Sequence, residues 1–388
     1  MENSLRLFDC RLGADARRAL DAVLASGELT AGPFVGELEK RLNARYPGRT
    51  SVALSDMTQA IAMALRLAGI GPGDDVLTLA LNCMSSNSAI TLAGARPVWV
   101  DINPHTLTID LADCARALTS RTKALVVYHV AGYPADIAAV EAFCRTHGIV
   151  LIEDANNALG ARSEDRMAGS GGRFSILSFY ANRQVNAIEG AALLCADPAD
   201  AERARRLRRF GVDVARFRDA DGEIAADTDV IEVGVPASMT NVNACLACHQ
   251  FEQLEVRLQR TRANALALRD ALSGTRVTPV QWREQDSPAF WAFVVRCGDR
   301  DGLMRMLKSH GIQCSKLHQR NDRYSGFEAA TRDLPGTSAL ERDMLAIPAG
   351  WWLDSAQRMR MVRLLQAWRP SYDSGQALYV AARDGPLS

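Results

Sequence analysis

Two hydrophobic rhythms alternate along the first half of the chain. Residues 13–26 are Ala-rich with Leu20, Val23 and Leu24 on one face, which predicts an amphipathic helix. Ser26-Gly-Glu-Leu-Thr-Ala-Gly-Pro33 breaks it, and Phe34 to Tyr46 predicts a second helix. Ser51 to Ser55 then predicts a short strand that runs directly into a helix over residues 56–68. Residues 71–80 predict a turn and strand, Leu81 to Asn87 the start of a helix, and residues 94–102 another strand. Arg121 to His129 is almost continuously apolar, as a strand of a parallel sheet buried on both faces should be. Residues 137–147 are its crossover helix, and residues 148–154 the next strand. Phe174 to Tyr180 is apolar, runs into a polar turn around Asn182-Arg183-Gln184, and a second apolar run follows Glu189. Strands alternating with helices in this way predict an α/β fold.

The second half reads differently. The basic stretch Arg203-Ala-Arg-Arg-Leu-Arg-Arg-Phe-Gly211 predicts a solvated helix closed by a glycine cap. Residues 212–232 are charged and irregular, a surface loop or hairpin. A helix is expected over residues 243–254, and a long one over 255–272 that bridges to a small α+β domain. That domain has a strand at 290–296, a helix at 299–310 and a last amphipathic helix after Leu353. The expected boundary divides residues 1–250 from 251–388, and the tail after about Tyr372 carries no strong packing signal.

Composition narrows the class. Basic and acidic residues balance at 45 each, which argues against nucleic acid as a partner. No apolar run approaches the ~18 residues of a membrane span. The N-terminus shows no basic region followed by an apolar core, and nine scattered cysteines fit a reducing compartment, so a cytoplasmic location is expected. Cys245-Leu-Ala-Cys248-His249 has the spacing of a c-type haem attachment, yet it lies in a helical stretch of small residues and reads as helix packing. No metal site is expected. Only four of the 45 basic residues are lysines: Lys40, Lys123, Lys308 and Lys316.

Two places invite chemistry. Asp154 ends a parallel strand at its carboxyl end, where α/β folds put their sites. The strand-to-helix turn at Asp56-Met57-Thr58 offers free helix N–H groups that favour an anion. Thr58 there either meets a phosphate or caps the helix.

Several motifs, in order and spacing, resemble one family. They are Ser26-Gly27 with Gly32-Pro33, Gly94-Ala-Arg-Pro-Val-Trp-Val-Asp101, Glu153-Asp-Ala-Asn-Asn-Ala-Leu-Gly160, Ser178-Phe179, His318-Gln-Arg-Asn-Asp322 and Ile347-Pro-Ala-Gly-Trp-Trp352. Together they resemble the DegT/DnrJ/EryC1/StrS sugar aminotransferases, which use pyridoxal phosphate (PLP). The resemblance implies PLP-transferase fold type I: a large domain with a mostly parallel sheet, a small C-terminal α+β domain, and a homodimer. It implies that Asp154 pairs with the pyridine nitrogen, that Asn157 stands for a glutamine near the ring hydroxyl, and that Cys83 lies close to the ring. Thr58 and Ser178 would hold the phosphate. His318, Arg320 and Asn321 would either face the mouth of the site and touch a sugar or diphosphate, or fix their own loop.

The same resemblance exposes departures. The family pattern Ser-Phe-x-x-x-Lys places Arg183 where the Schiff-base lysine belongs. A guanidinium stays protonated and is no nucleophile, so it cannot form that bond. Met57 stands where glycine is expected, Pro236 replaces an interface asparagine, and Ser238 replaces an arginine. The implied function is therefore an aminotransferase-like protein of nucleotide-sugar, surface-polysaccharide or natural-product biosynthesis that works without a protein Schiff base. PLP or its amine form (PMP) would be held non-covalently, with His318 or Lys316 as the substitute base. The pocket has otherwise left PLP chemistry, with Arg183 binding an anion. The alternative is a catalytically silent homologue that partners an active paralogue.

Overall fold

The structure is a computed structural model that describes residues 4–327 and 331–370; the tail after Tyr372 lies outside the described residues. Twelve strands run in chain order: β1 Thr50–Leu54, β2 Asp75–Leu79, β3 Arg96–Val100, β4 Thr122–Tyr128, β5 Val150–Asp154, β6 Arg162–Ser163, β7 Arg166–Met167, β8 Phe174–Ser178, β9 Ala191–Cys195, β10 Thr278–Pro279, β11 Phe293–Arg296 and β12 Met344–Ile347. Seven of them form the central sheet in the order β1-β9-β8-β5-β4-β2-β3. All pairings from β8 to β3 are parallel, and β9 runs antiparallel to both neighbours. The architecture is the expected α/β one with a mostly parallel sheet. β2, β8 and β9 are buried along their whole length, and β9, Ala-Ala-Leu-Leu-Cys, accordingly reads as an unbroken apolar run rather than an alternating one.

Helices cover the sheet, and carboxylates start many of them. Asp56, Asp110, Asp136 and Asp197 each accept a hydrogen bond from a first-turn N–H. The cap of helix Met57–Leu67 is thus Asp56 and not Thr58. The basic stretch forms the end of helix Pro198–Leu207, and residues 212–232 contain no helix or named strand. Helix Asn241–Phe251 packs against helices Ala14–Ser26 and Pro33–Arg45 with Cys245 and Cys248 buried, as its small residues require.

The C-terminal part carries the antiparallel sheet β10-β11-β12, flanked by helices Arg300–Ser309 and Ser355–Ala367. One apolar cluster joins this sheet to the large one, since Leu77, Leu125 and Val127 share it with Leu268, Phe293 and Leu345. Asp101, the last residue of the Gly-Ala-x-Pro-Val motif, holds the C-terminal part in place. Its carboxylate accepts from the N–H groups of Gly336 and Thr337 and from the Thr337 hydroxyl, each at 2.8 Å. Gly132 allows a second close approach: at φ 89°, a Cβ there would sit 2.8 Å from the Trp291 nitrogen and 2.9 Å from the Asn157 carbonyl. The C-terminal part thereby reaches the carboxyl ends of β4 and β5.

Candidate active site

The site forms where β4, β5 and β8 end. Asp154, the last residue of β5, is fully buried, and burial pushes its carboxyl pKa up. Its Oδ2 accepts from the Ser86 hydroxyl at 2.6 Å, and its Oδ1 accepts from the Asn156 side-chain amide at 2.7 Å. Beside it, Asn157 donates to the hydroxyl of Tyr128, the last residue of β4. That hydroxyl lies 3.1 Å from Nε2 of His318. Burial and the neighbouring Arg183 push the His318 pKa down to about 4, so its imidazole is neutral at pH 7. The neighbouring Glu153 is structural: it accepts from the N–H groups of Gly169 and Gly171 and pairs with His129 at 2.7 Å.

Arg183 sits on the loop between β8 and β9, in a turn closed by its own N–H bonding to the Tyr180 carbonyl at 2.9 Å. Its side chain points inward and is 7% exposed. Nη2 donates to Oδ1 of Asn156 at 2.8 Å, Nη1 donates to the Asn182 side chain, and the guanidinium lies 4.9 Å from the centre of the Trp291 ring. Trp291 is itself braced, donating to the Asn182 carbonyl at 2.8 Å and stacking on Phe8 at 4.4 Å. Tyr128, Cys83, Asp154 and Tyr180 all lie close enough to act on the guanidinium charge. Among the described residues, no carboxylate reaches ion-pair distance of it.

Arg183, Asp154, Asn157, Cys83 and His318 therefore come together. Several other expected residues have partners of their own. Lys316 pairs with Asp301 at 2.9 Å and remains partly exposed, so an ion pair holds the amine expected to replace the lysine. Arg320 forms a two-pronged pair with Asp322 at 3.0 and 2.6 Å and donates to Ser338 at 2.7 Å. Asn321 is buried, donating to the Asn82 carbonyl and accepting from Asn87. Their polar groups are consumed in fixing their own loop, which is the second of the two expectations for them. Met57 is buried in the cluster with Leu54 and Ile61. Thr58 lines a cleft with Gln59, Ala62, Arg66 and Leu92, and Ser178 accepts at 3.2 Å from the Tyr180 N–H.

Sequence reasoning did not place Tyr128, Asn156, Ser86 or Trp291 in the site. Tyr128 had a usable signal, since it too ends a parallel strand at the carboxyl side. Trp291 had none, because only the tertiary fold brings it over the β8–β9 loop.

The sequence matches the DegT/DnrJ/EryC1/StrS aminotransferase family over residues 11–366. The chain belongs to that family. Among solved structures it is similar to the sugar aminotransferase CalS13 from Micromonospora echinospora, with 30% identity, TM-score 0.87 and coverage of 94% of this chain and 100% of that one. It is likewise similar to AtS13 from Actinomadura melliaura, at 31% identity, TM-score 0.87 and coverage of 94% and 99%. DesV from S. venezuelae, solved in complex with a ketimine intermediate, matches at 27% identity, TM-score 0.86 and coverage of 94% and 98%. The fold is that of the fold type I PLP aminotransferases.

The residues present fit that cofactor at one end only. Asp154 is placed for a ring nitrogen, and Oδ2 accepts a single bond from Ser86. The opposite end does not fit. Asp56 already occupies the N-terminus of helix Met57–Leu67, accepting from the Gln59 N–H at 2.9 Å. Glu189 lies in its field, with a pKa raised by burial and by Asp56. A phosphate there would meet two carboxylates. Counted along the family pattern Ser-Phe-x-x-x-Lys from Ser178, the anchoring position falls on Arg183, whose guanidinium offers no amine. Covalently held, phosphate-anchored PLP does not fit this site.

Proposed function

We propose that this protein is an aminotransferase-fold member of nucleotide-sugar, surface-polysaccharide or natural-product biosynthesis that handles its ligand without a protein-bound Schiff base. The observation that carries this reading is the burial of Arg183 at the anchoring position, with Lys316 committed to Asp301. Lys40 and Lys123 are both exposed residues, and neither they nor Lys308 is among the groups acting on the site. PLP or PMP enters this reading only as a non-covalent ligand beside Asp154.

The groups available to move a proton are His318 and Tyr128. A neutral His318 can accept one at Nε2, and Tyr128 connects it to Asn157. The substrate is proposed to be a small molecule, a nucleotide sugar by analogy with the relatives, and the active form a homodimer. A silent partner would have no use for a neutral acceptor beside a buried cation, and that pair favours a ligand-handling site. The reading is tested by offering PLP and PMP to the purified protein and asking whether any lysine becomes linked to the cofactor.

A further inference from the structure

Arg183 is a permanent cation whose buried guanidinium makes no ion pair among the described residues; Asp154 and Glu189 act on it only from beyond ion-pair distance. Its hydrogen-bond partners are the neutral side chains of Asn156 and Asn182, and its other neighbour is the face of Trp291. The Nε–H is buried and has no partner. Two other buried polar atoms are unpaired in the same neighbourhood: Oδ1 of Asn157, which shares Tyr128 with His318, and Nδ2 of Asn82, next to Cys83. Burying a charge without a counter-ion is costly, and each unpaired buried polar atom adds to the cost. One bound group of opposite charge would relieve both.

We infer that the Arg183 guanidinium is the receptor for a small carboxylate, which binds along the Nε–Nη2 edge. This inference rests on the reading that no Schiff base occupies the site. The chemistry selects a carboxylate. Nη1 and Nη2 each already spend a proton on an amide oxygen, so the side-on edge offers two parallel donors, the spacing a planar carboxylate takes up in two-pronged fashion. A phosphate dianion is bulkier and more heavily hydrated, and it would bring a second negative charge near Glu189, which Arg183 already feels. Oδ1 of Asn157 would accept from a hydroxyl of the same ligand. The class that fits is a hydroxylated carboxylic acid, such as an acidic sugar.

The test titrates the full-length protein with sodium acetate, following its thermal midpoint and, by calorimetry, the heat of binding. Sodium chloride at matched ionic strength and acetamide, the neutral isostere, are the controls. The inference expects saturable stabilisation by acetate beyond that of chloride, no response to acetamide, and an apparent Kd at least roughly tenfold weaker in R183Q. Acetate acting no better than chloride, acetamide acting as well as acetate, or R183Q retaining the acetate response would each overturn it. The acetamide comparison stands on the unmodified protein, so it holds even if R183Q fails to fold. A lysine found linked to PLP would sink the proposed function and leave the acetate result standing, so the two failures are separable.

Discussion

Arg183 and Asp154 are joined through one amide: Oδ1 of Asn156 accepts from Arg183 at 2.8 Å, and Nδ2 of the same side chain donates to Asp154 at 2.7 Å. Asn156 therefore ties the guanidinium to the acid. Asn156→Ala would leave a buried guanidinium and a buried carboxyl each one partner short. We expect it to cost about 1–3 kcal/mol of stability, measured by urea unfolding. An Asn156→Ala protein as stable as the parent would mean that the amide does not bridge the two groups.

His318 gives the protein a pH dependence whose sign follows from the geometry. Its folded pKa is pushed down to about 4 by burial and by Arg183, against roughly 6.5 in an unfolded chain. Between those values the unfolded state binds more protons than the folded one. The stability from this group is thus complete above about pH 6.5 and is lost as the pH falls towards 4. His318 is only half-buried by area, so about 1–2 kcal/mol is expected across the window rather than the full value of the shift. His318→Gln should flatten this part of the stability–pH curve, measured by thermal unfolding in steps from pH 7 to 4.

The order of the strands, the helices between them and the acid at the end of β5 were legible because each is a local pattern. A buried parallel strand is an apolar run, and a crossover helix has its own periodicity. The site was legible only where a motif carried it. Asp154 and Arg183 stand in such motifs. The aromatic wall did not, because Trp291 meets Arg183, and Phe8 meets Trp291, only through the packing of distant segments. The capping alternative for Thr58 failed for a physical reason: Asp56, two residues earlier, is the better cap and takes the helix N–H. The His318–Asp322 loop is a different case. Sequence alone left it between ligand contact and self-fixing; in the fold Arg320 pairs with Asp322, while His318 reaches the Tyr128 hydroxyl.

Ile188 keeps a backbone shape its side chain does not suit. It precedes Glu189, it has φ 68°, and its side chain is largely exposed. A β-branched residue is strained in the left-handed region. Ile188→Gly removes that strain and retains the N–H that donates to Oδ1 of Asn186 at 3.1 Å. Against the entropy glycine loses on folding, a net gain of about 1 kcal/mol is expected, read as a raised unfolding midpoint. A lowered midpoint would show that the Ile188 side chain packs usefully, as it would at a subunit contact.

The central claim is that the site has lost its covalent anchor. The most direct measurement is to incubate the protein with excess PLP, reduce with borohydride, and read the intact mass and the modified peptide. The account predicts no stoichiometric adduct within the site, and only sparse labelling of exposed lysines such as Lys40 or Lys123 that free lysine would suppress. A single stoichiometric adduct on Lys316 would contradict it, because the ion pair with Asp301 would then have to open and deliver that amine to Asp154.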